Sequence, residues 1–119
     1  MKVLIVDDSE SIRELVGMTL ESEGYHVHKS SDGVEAIDHL THTDVDLVIT
    51  DLNMPKMDGI SLLKEIRNDD SKVGLPVLLL TTESQVAKKD EARKAGATGW
   101  IVKPFAQDRL LAVVKKILR

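Results

Sequence analysis

An α/β fold built on one parallel β-sheet is predicted from three observations on this 119-residue sequence. Short, mostly apolar runs at 3–6, 47–50 and 77–80 have the length and composition of strands that are buried on both faces of a sheet. These runs alternate with stretches in which apolar residues recur at helical spacing. The alternation occurs five times, and right-handed β-α crossovers then place helices on both faces of the sheet.

The first β-α unit is predicted to begin with a strand at 2–7 and to end at Gly24, a residue that suits the C-terminus of a helix. Ser11 has a glutamate three residues later, which is the spacing of a capping box, while Ser9 and Asp8 are alternative N-caps. The helix residues predicted to face the core are Ile12, Leu15, Val16, Thr19 and Leu20.

The second unit is predicted to begin with a strand at 25–30, in which polar residues alternate along the chain. Asp32 begins the helix that follows, and this helix is predicted to bury Val34, Ile37 and Leu40. Because the second strand is the least apolar of the five, it suits an edge of the sheet. An edge position agrees with the order 2-1-3-4-5 of flavodoxin-like folds, a doubly wound (βα)5 three-layer sandwich whose ligand crevice lies between strands one and three.

The rest of the chain continues the same alternation, with Asp58 at the start of the third helix. The remaining strands and helices are predicted at 46–51, 77–80, 84–95, 99–102 and 105–118. Val86 is the one large apolar residue of the helix at 84–95. Since local stability follows buried apolar contact, this helix is predicted to move most easily.

Composition limits the classes of function. The chain has 42% hydrophobic residues and a net charge of −4, and we expect residues 1–119 to form one domain with no output domain attached. The acidic balance and the lack of a recognition-helix motif argue against nucleic-acid binding, and the short apolar runs argue against membrane insertion. The absence of cysteine excludes disulfides and thiolate chemistry, and it is compatible with a cytoplasmic location.

Charged residues stand where predicted strands end. Asp7 and Asp8 close the first strand, Asp51 closes the third, and Lys103 closes the fifth. The carboxyl ends of parallel strands meet along one edge, where neighbouring strands are about 4.8 Å apart. Carboxylates held so close together repel each other unless a cation joins them. The sequence therefore predicts a site for a hard divalent metal ion and an anionic group.

Four segments at these strand ends resemble the receiver domain of two-component response regulators. They are Asp7-Asp8, the run DLNMPKMDG at 51–59, Thr81-Thr82 and the run GATGWIVKPF at 96–105. The resemblance covers the whole chain, in order and at the usual spacing, and with no output domain it is strongest to the stand-alone chemotaxis regulators of this family.

The resemblance implies a role for each acidic residue. Asp51 is the expected phosphoacceptor, because a carboxylate that attacks phosphorus forms an acyl phosphate. Asp8, Asp51 and the backbone carbonyl of Asn53 are expected to bind Mg²⁺ directly, with Mn²⁺ as a substitute and with Asp7 acting through water. For Asp8, helix capping is the alternative role.

The resemblance also implies roles for residues on strands four and five. Lys103, followed by a cis peptide bond to Pro104, is expected to reach Asp51 and the phosphoryl oxygens. Thr81 is expected to donate to the phosphoryl group, with Thr82 as an alternative, although the position could instead serve as a helix N-cap, a role that Thr82 or Ser84 could equally supply. Trp100 stands where the family usually has Tyr or Phe, and it either follows the threonine as a switch or simply covers apolar surface.

The implied function is transfer of a phosphoryl group from a histidine kinase to Asp51, with Asn53 and Glu83 tuning its lifetime. A switch of the face formed by the fourth helix, fifth strand and fifth helix would then control a protein target, such as the flagellar motor switch. A phosphatase is a further expected partner, and the chain is expected to be a monomer. It is not expected to be an enzyme beyond self-catalysed phosphoryl transfer and dephosphorylation.

Other functions remain open at this stage. A phosphorelay intermediate or a receiver fragment of a larger regulator would have the same sequence features. A flavodoxin-like ligand-binding module, a magnesium phosphohydrolase and a phosphorylation-independent adaptor are further alternatives. Four histidines also need an explanation: His26 and His28 share one face of the second strand, while His39 and His42 are three residues apart on a helix. Both spacings permit a transition-metal pair, and both are common among surface histidines.

Overall fold

A single parallel sheet organises the computed structural model, which describes residues 1–82 and 87–118. Within these ranges the strand order is β2-β1-β3-β4-β5, so the predicted fold class and the edge position of the second strand are confirmed. The strands are β1 (Lys2–Val6), β2 (His26–Ser30), β3 (Leu47–Asp51), β4 (Val77–Thr81) and β5 (Gly99–Val102). The helices are α1 (Glu10–Glu21), α2 (Gly33–His42), α3 (Gly59–Asn68), α4 (Lys89–Lys94) and α5 (Gln107–Leu118).

Alternating side chains of the central strands form two apolar layers. Val3 and Ile5 of β1 pack toward α1 and α5, whereas Leu4 and Val6 of the same strand pack toward α2 and α3. All four side chains are fully buried. The sheet is therefore covered on both faces, as its continuous apolar strands require.

Side-chain caps fix where three of the helices begin. Ser9 caps α1 by accepting from the Ile12 amide at 3.3 Å, which decides among the alternatives Asp8, Ser9 and Ser11. Asp32 caps α2 and Asp58 caps α3 in the same way, with N···O distances of 2.8 and 2.7 Å to amides three residues on. Each cap satisfies an amide that the first turn of a helix leaves without a partner.

The prediction that Leu15 and Val34 lie in the core is wrong. Leu15 is 39% exposed and Val34 is 50% exposed. On α2 the buried stripe runs through Ala36 and Leu40, and Val34 precedes Ala36 by two residues, which turns it about 200° around the helix. Leu15 lies on the flank of α1, next to the buried Val16.

The described part of the fourth helix is shorter than the predicted span of 84–95. It covers Lys89–Lys94, and the two residues before it form a 3-10 turn. Ala92 is its one buried residue within the described chain. Residues 84–86, including Val86, lie outside the described residues.

The register of the sheet brings the predicted site residues to one edge. Val6 pairs with Thr50, so Asp7 and Asp51 each extend one residue beyond a paired position on neighbouring strands. Thr81 pairs with Val102, the residue before Lys103. No helix of the described residues is long and apolar enough to cross a membrane.

Gly59, at the start of α3, is predicted to tolerate no side chain. A Cβ there would clash with the Asp51 carbonyl oxygen and lie 3.0 Å from Leu52 Cα, and this backbone carries the site. We expect Gly59→Ala to lower the free energy of unfolding by about 2 kcal/mol or more, measured by urea denaturation.

Gly74→Ala is the matched control, because a Cβ at position 74 meets nothing within 4 Å. We expect that variant to stay within about 0.5 kcal/mol of the parent. Equal stability of both variants would show that the close approach at Gly59 is not a constraint.

Candidate functional site

Three acidic side chains meet where β1 and β3 end. One carboxylate oxygen from each of Asp7, Asp8 and Asp51 lies within 4.8 Å of the others. Asp7 is fully buried and Asp51 is 7% exposed, whereas Asp8 is exposed to solvent. The structure therefore brings together the three acids that the sequence placed at strand ends, and it leaves the cluster open on the Asp8 side.

Lys103 bridges two of these acids from the far side of the sheet. Its Nζ lies 3.0 Å from Asp7 Oδ2 and 3.3 Å from Asp51 Oδ1. The Lys103–Pro104 peptide bond is cis. With all groups ionised, one ammonium among three carboxylates leaves the cluster with two net negative charges. Such a cluster of oxygen donors suits a hard divalent cation.

Hydrogen bonds hold the carboxylates in fixed orientations. Asp7 Oδ1 accepts from the Ser9 amide at 2.9 Å, and the Asp7 carbonyl accepts from Arg13 Nη1 at 2.6 Å. Asp51 Oδ1 accepts from the Leu52 amide at 2.9 Å. Within the part of the chain that the structure describes, no donor lies on Asp51 Oδ2. One oxygen of Asp51 is therefore held by the protein, whereas the other has no donor among these residues.

Burial raises the pKa of Asp51 above its ordinary value, and the charge of Asp7 raises it further. The ammonium of Lys103 and the Leu52 amide oppose this rise without cancelling it. The carboxylate of Asp51 is thus destabilised relative to water, because its charge is desolvated beside another acid. A cation bound at the cluster would relieve this cost.

Thr81 and Trp100 both line a small pocket beside the site. The Thr81 side chain is 4% exposed, and among residues 1–82 and 87–118 its hydroxyl has no hydrogen-bond partner. Trp100 is partly buried, and Lys89 Nζ lies 4.3 Å from the centroid of its ring. Both side chains line the pocket together with Leu52, Leu79 and Ala92. The buried hydroxyl is thus a donor that the described residues leave unused.

The remaining predicted site residues are Thr82, Asn53 and Glu83. Thr82 follows β4 and is exposed, and Asn53 is exposed in the loop after β3. Glu83 lies outside the described residues.

Two features of the site were missed in the sequence. Arg13 donates to the Asp7 carbonyl from one turn into α1, and Lys56 Nζ lies 3.6 Å from Asp32 Oδ2. Lys56 has a left-handed backbone, with φ of 67°, which is uncommon outside glycine. For the contact of Arg13 with Asp7, the one available signal in the sequence was their spacing of six residues across the start of a helix. The Lys56–Asp32 contact had none, because it depends on how two loops meet.

Comparison with known proteins agrees with the fold. Residues 3–115 match the response regulator receiver domain family, and the chain belongs to this family. It is 43% identical to chemotaxis protein CheY-3 of Vibrio cholerae, over 98% of this chain and 91% of that protein.

Relatives include both short and longer proteins. The crystal structure of the chemotaxis response regulator CheY4 of Vibrio cholerae matches with a TM-score of 0.93 at 44% identity, over 98% of each chain. Response regulator MprA of a Mycobacterium species is 35% identical over the whole of this chain, which spans 51% of that protein. The family thus contains this domain both nearly by itself and as half of a longer chain.

Replacing the destabilised carboxylate is predicted to stabilise the protein. Because the folded-state pKa of Asp51 is raised, its contribution to stability is full below its unfolded pKa and is lost as pH rises through the folded pKa. At pH 7 we expect Asp51→Asn to raise the thermal midpoint by about 2–5 °C. The gain should shrink as pH falls below the unfolded pKa of an aspartate, as followed by thermal melts from pH 7 to pH 3.5.

Asp44→Asn is the control for this prediction, because Asp44 is exposed and lies outside the acidic cluster. We expect no comparable gain from it. A thermal midpoint that is lower in Asp51→Asn than in the parent at pH 7 would mean that the attraction of Lys103 for the Asp51 carboxylate outweighs the cost of burying it.

Proposed function

We propose that this chain is a phosphoacceptor response regulator whose Asp51 receives a phosphoryl group from a phosphohistidine of a histidine kinase. The observation that carries the proposal is the state of the Asp51 carboxylate. Oδ1 is held by Lys103 and the Leu52 amide, while Oδ2 has no donor in the described residues. This arrangement fixes the side chain and leaves one lone pair free to attack phosphorus.

The donor set of the cluster fits Mg²⁺, with Mn²⁺ as a substitute. Asp8, Asp51 and the backbone carbonyl of Asn53 would hold the ion directly, and Asp7 would act through water. These ligands are all oxygens, and the cluster keeps net negative charge despite Lys103. When bound, the ion supplies positive charge that offsets the charge of the phosphoryl oxygens.

The transfer forms one bond and breaks one bond. Asp51 Oδ2 forms a bond to phosphorus, the phosphorus–nitrogen bond of the donor breaks, and its electron pair returns to the imidazole. Lys103 Nζ, which already lies 3.3 Å from Asp51 Oδ1, would stabilise the phosphoryl oxygens. Attack of water on the acyl phosphate releases phosphate and restores Asp51. The chain thus modifies itself and turns over no separate substrate, and Asn53 and Glu83 are proposed to tune the lifetime.

The response is proposed to run from Thr81 to the face formed by α4, β5 and α5. The Thr81 hydroxyl, which has no partner among the described residues, would donate to the phosphoryl group, and Trp100, which lines the same pocket, would move with it. Ala92 is the one buried residue of α4 in the described chain, so displacing this helix costs little. Phosphorylation then shifts the population between two shapes of this face.

The proposed partners follow from the relatives. CheY-3 and CheY4 are chemotaxis proteins by name, so the target is proposed to be a protein of chemotaxis signalling such as the flagellar motor switch, with a phosphatase as a further partner. We propose a cytoplasmic, monomeric regulator of one domain at 1–119. A phosphorelay intermediate or a receiver portion of a larger regulator is the second candidate, since this chain matches half of MprA.

Two other candidates have less support. A flavodoxin-like module needs backbone amides that cradle a phosphate after β1, where this chain has the acidic pair Asp7 and Asp8. A phosphorylation-independent adaptor would have no use for a buried cluster that raises the pKa of Asp51.

Phosphorylation of the isolated chain tests the proposal. With Mg²⁺ and acetyl phosphate, we expect a mass gain of one phosphoryl group in intact-protein mass spectrometry, and none in Asp51→Asn. Lys103→Met should slow the reaction by about 100-fold, because it removes one stabilising donor from the transition state.

Asp58→Asn is the matched control, because Asp58 lies in the same loop and asparagine caps a helix as well as aspartate does. It should gain the phosphoryl group at the parent rate. Absence of the gain in the parent chain, or its survival in Asp51→Asn, would favour the adaptor.

The role of Thr81 is tested separately. Thr81→Val replaces an unpartnered buried hydroxyl with a methyl group of similar shape, so stability should change by less than about 1 kcal/mol. We expect phosphorylation to change the fluorescence of Trp100, the single tryptophan of the chain, in the parent. The variant should accept the phosphoryl group but should not show this change.

Thr82→Val serves as the control and should retain the fluorescence change. Loss of the response in Thr82→Val with retention in Thr81→Val would assign the role to Thr82 instead.

A further inference from the structure

A pair of histidines lies far from the acidic cluster, between β2 and α2. The ring centroids of His28 and His39 are 5.0 Å apart, with an angle of 68° between the ring planes. His28 faces α2 because it pairs in register with Leu4, whose side chain packs on the same side of the sheet. This contact joins the edge strand to the helix that covers it.

The two rings are spaced as two imidazoles on one metal ion would be. An ion bonded to an imidazole nitrogen at about 2.0–2.1 Å lies about 3.2 Å from the ring centroid, so two rings on a tetrahedral ion have centroids about 5.2 Å apart. The observed separation of 5.0 Å is close to that value.

The ring nitrogens of this pair are otherwise unused. Within residues 1–82 and 87–118, neither His28 nor His39 has a hydrogen bond to its ring. His42, on the same helix, differs because its Nδ1 lies 2.9 Å from the Asp38 carbonyl oxygen. The pair therefore has lone pairs that no group of the described chain occupies, and His42 provides an internal comparison.

The surroundings of His28 favour its neutral ring, the form that binds metals. Partial burial lowers the pKa of His28, and the neighbouring charges of His39, Lys2 and His26 lower it further. Lys2 also repels a metal cation, but its side chain is exposed and therefore screened by solvent and salt.

We propose that His28 and His39 together bind a divalent transition-metal ion of the Zn²⁺ class, with water completing the coordination. Imidazole nitrogen is a preferred ligand of Zn²⁺, whereas the carboxylate cluster selects harder ions such as Mg²⁺. The site lies at the opposite edge of the sheet from β5. It is thus separate in place and in chemistry from the proposed phosphorylation site.

Titration with ZnCl₂ tests the proposal, in the presence of excess Mg²⁺ so that the acidic cluster is occupied. We expect isothermal titration calorimetry to show one Zn²⁺ per chain. His39→Gln should weaken binding about tenfold or more, since even an outer-shell partner of a metal ligand is worth that much. His42→Gln is the matched control on the same helix and should bind Zn²⁺ as the parent does.

Two further measurements separate binding at this pair from other causes. Zn²⁺ should raise the thermal midpoint of the parent and of His42→Gln but not of His39→Gln. This comparison does not require that a variant of the other ligand, His28→Gln, folds. Imidazole ¹H–¹⁵N spectra should show Zn²⁺-dependent shifts for His28 and His39. Unchanged Zn²⁺ affinity in His39→Gln, or shifts confined to His26 and His42, would overturn the proposal.

Discussion

The site depends on one shared ion pair, in which the ammonium of Lys103 serves both Asp7 and Asp51. In the sheet order, Lys103 follows β5 and reaches past the end of β4 to acids on β3 and β1. The attraction is strong because the two carboxylates are almost completely buried, where charges interact through little water. It is also incomplete, because one ammonium cannot neutralise three acids. The remaining negative charge is what makes this edge of the sheet a place for cations.

This imbalance links the fold to the proposed chemistry. The same packing that buries Asp7 and Asp51 makes their charges costly, and the pKa of Asp51 rises as a result. A site of this kind is poised to respond to any added charge, whether a metal ion or a phosphoryl group. Thr81 ends the next strand, one residue after the Leu80 that pairs with Asp51, and its buried hydroxyl has no partner among the described residues.

The main features of the fold and site could be predicted because they follow from local patterns. Apolar runs defined the strands, the polarity of the second strand gave its edge position, and charged residues at strand ends gave the cluster at Asp7, Asp8 and Asp51. The predictions that were wrong concern features that depend on the final packing. Val34 is exposed because of its angle around α2, and no periodicity decides between neighbouring positions on the rim of a buried stripe.

Other details were beyond sequence reasoning for a related reason. Asp8, Ser9 and Ser11 are all good cap residues, and the choice of Ser9 depends on where β1 delivers the chain. The contact of Lys56 with Asp32 joins two loops that are distant in sequence, and it requires a left-handed backbone at a residue type that rarely adopts one. Likewise, the ring contact of His28 with His39 was visible only as a spacing on each element separately.

The slight burial of α4 has a consequence for the evolution of this domain. Because Ala92 is its one buried residue in the described chain, nearly every other described position on the helix can change with little effect on folding. Recognition surfaces formed by α4 can therefore diverge between gene duplicates without compensating changes in the core. The sheet edge has less freedom, since Asp7, Asp51 and Lys103 are held by one another. A single scaffold can in this way acquire new binding partners while its chemistry stays the same.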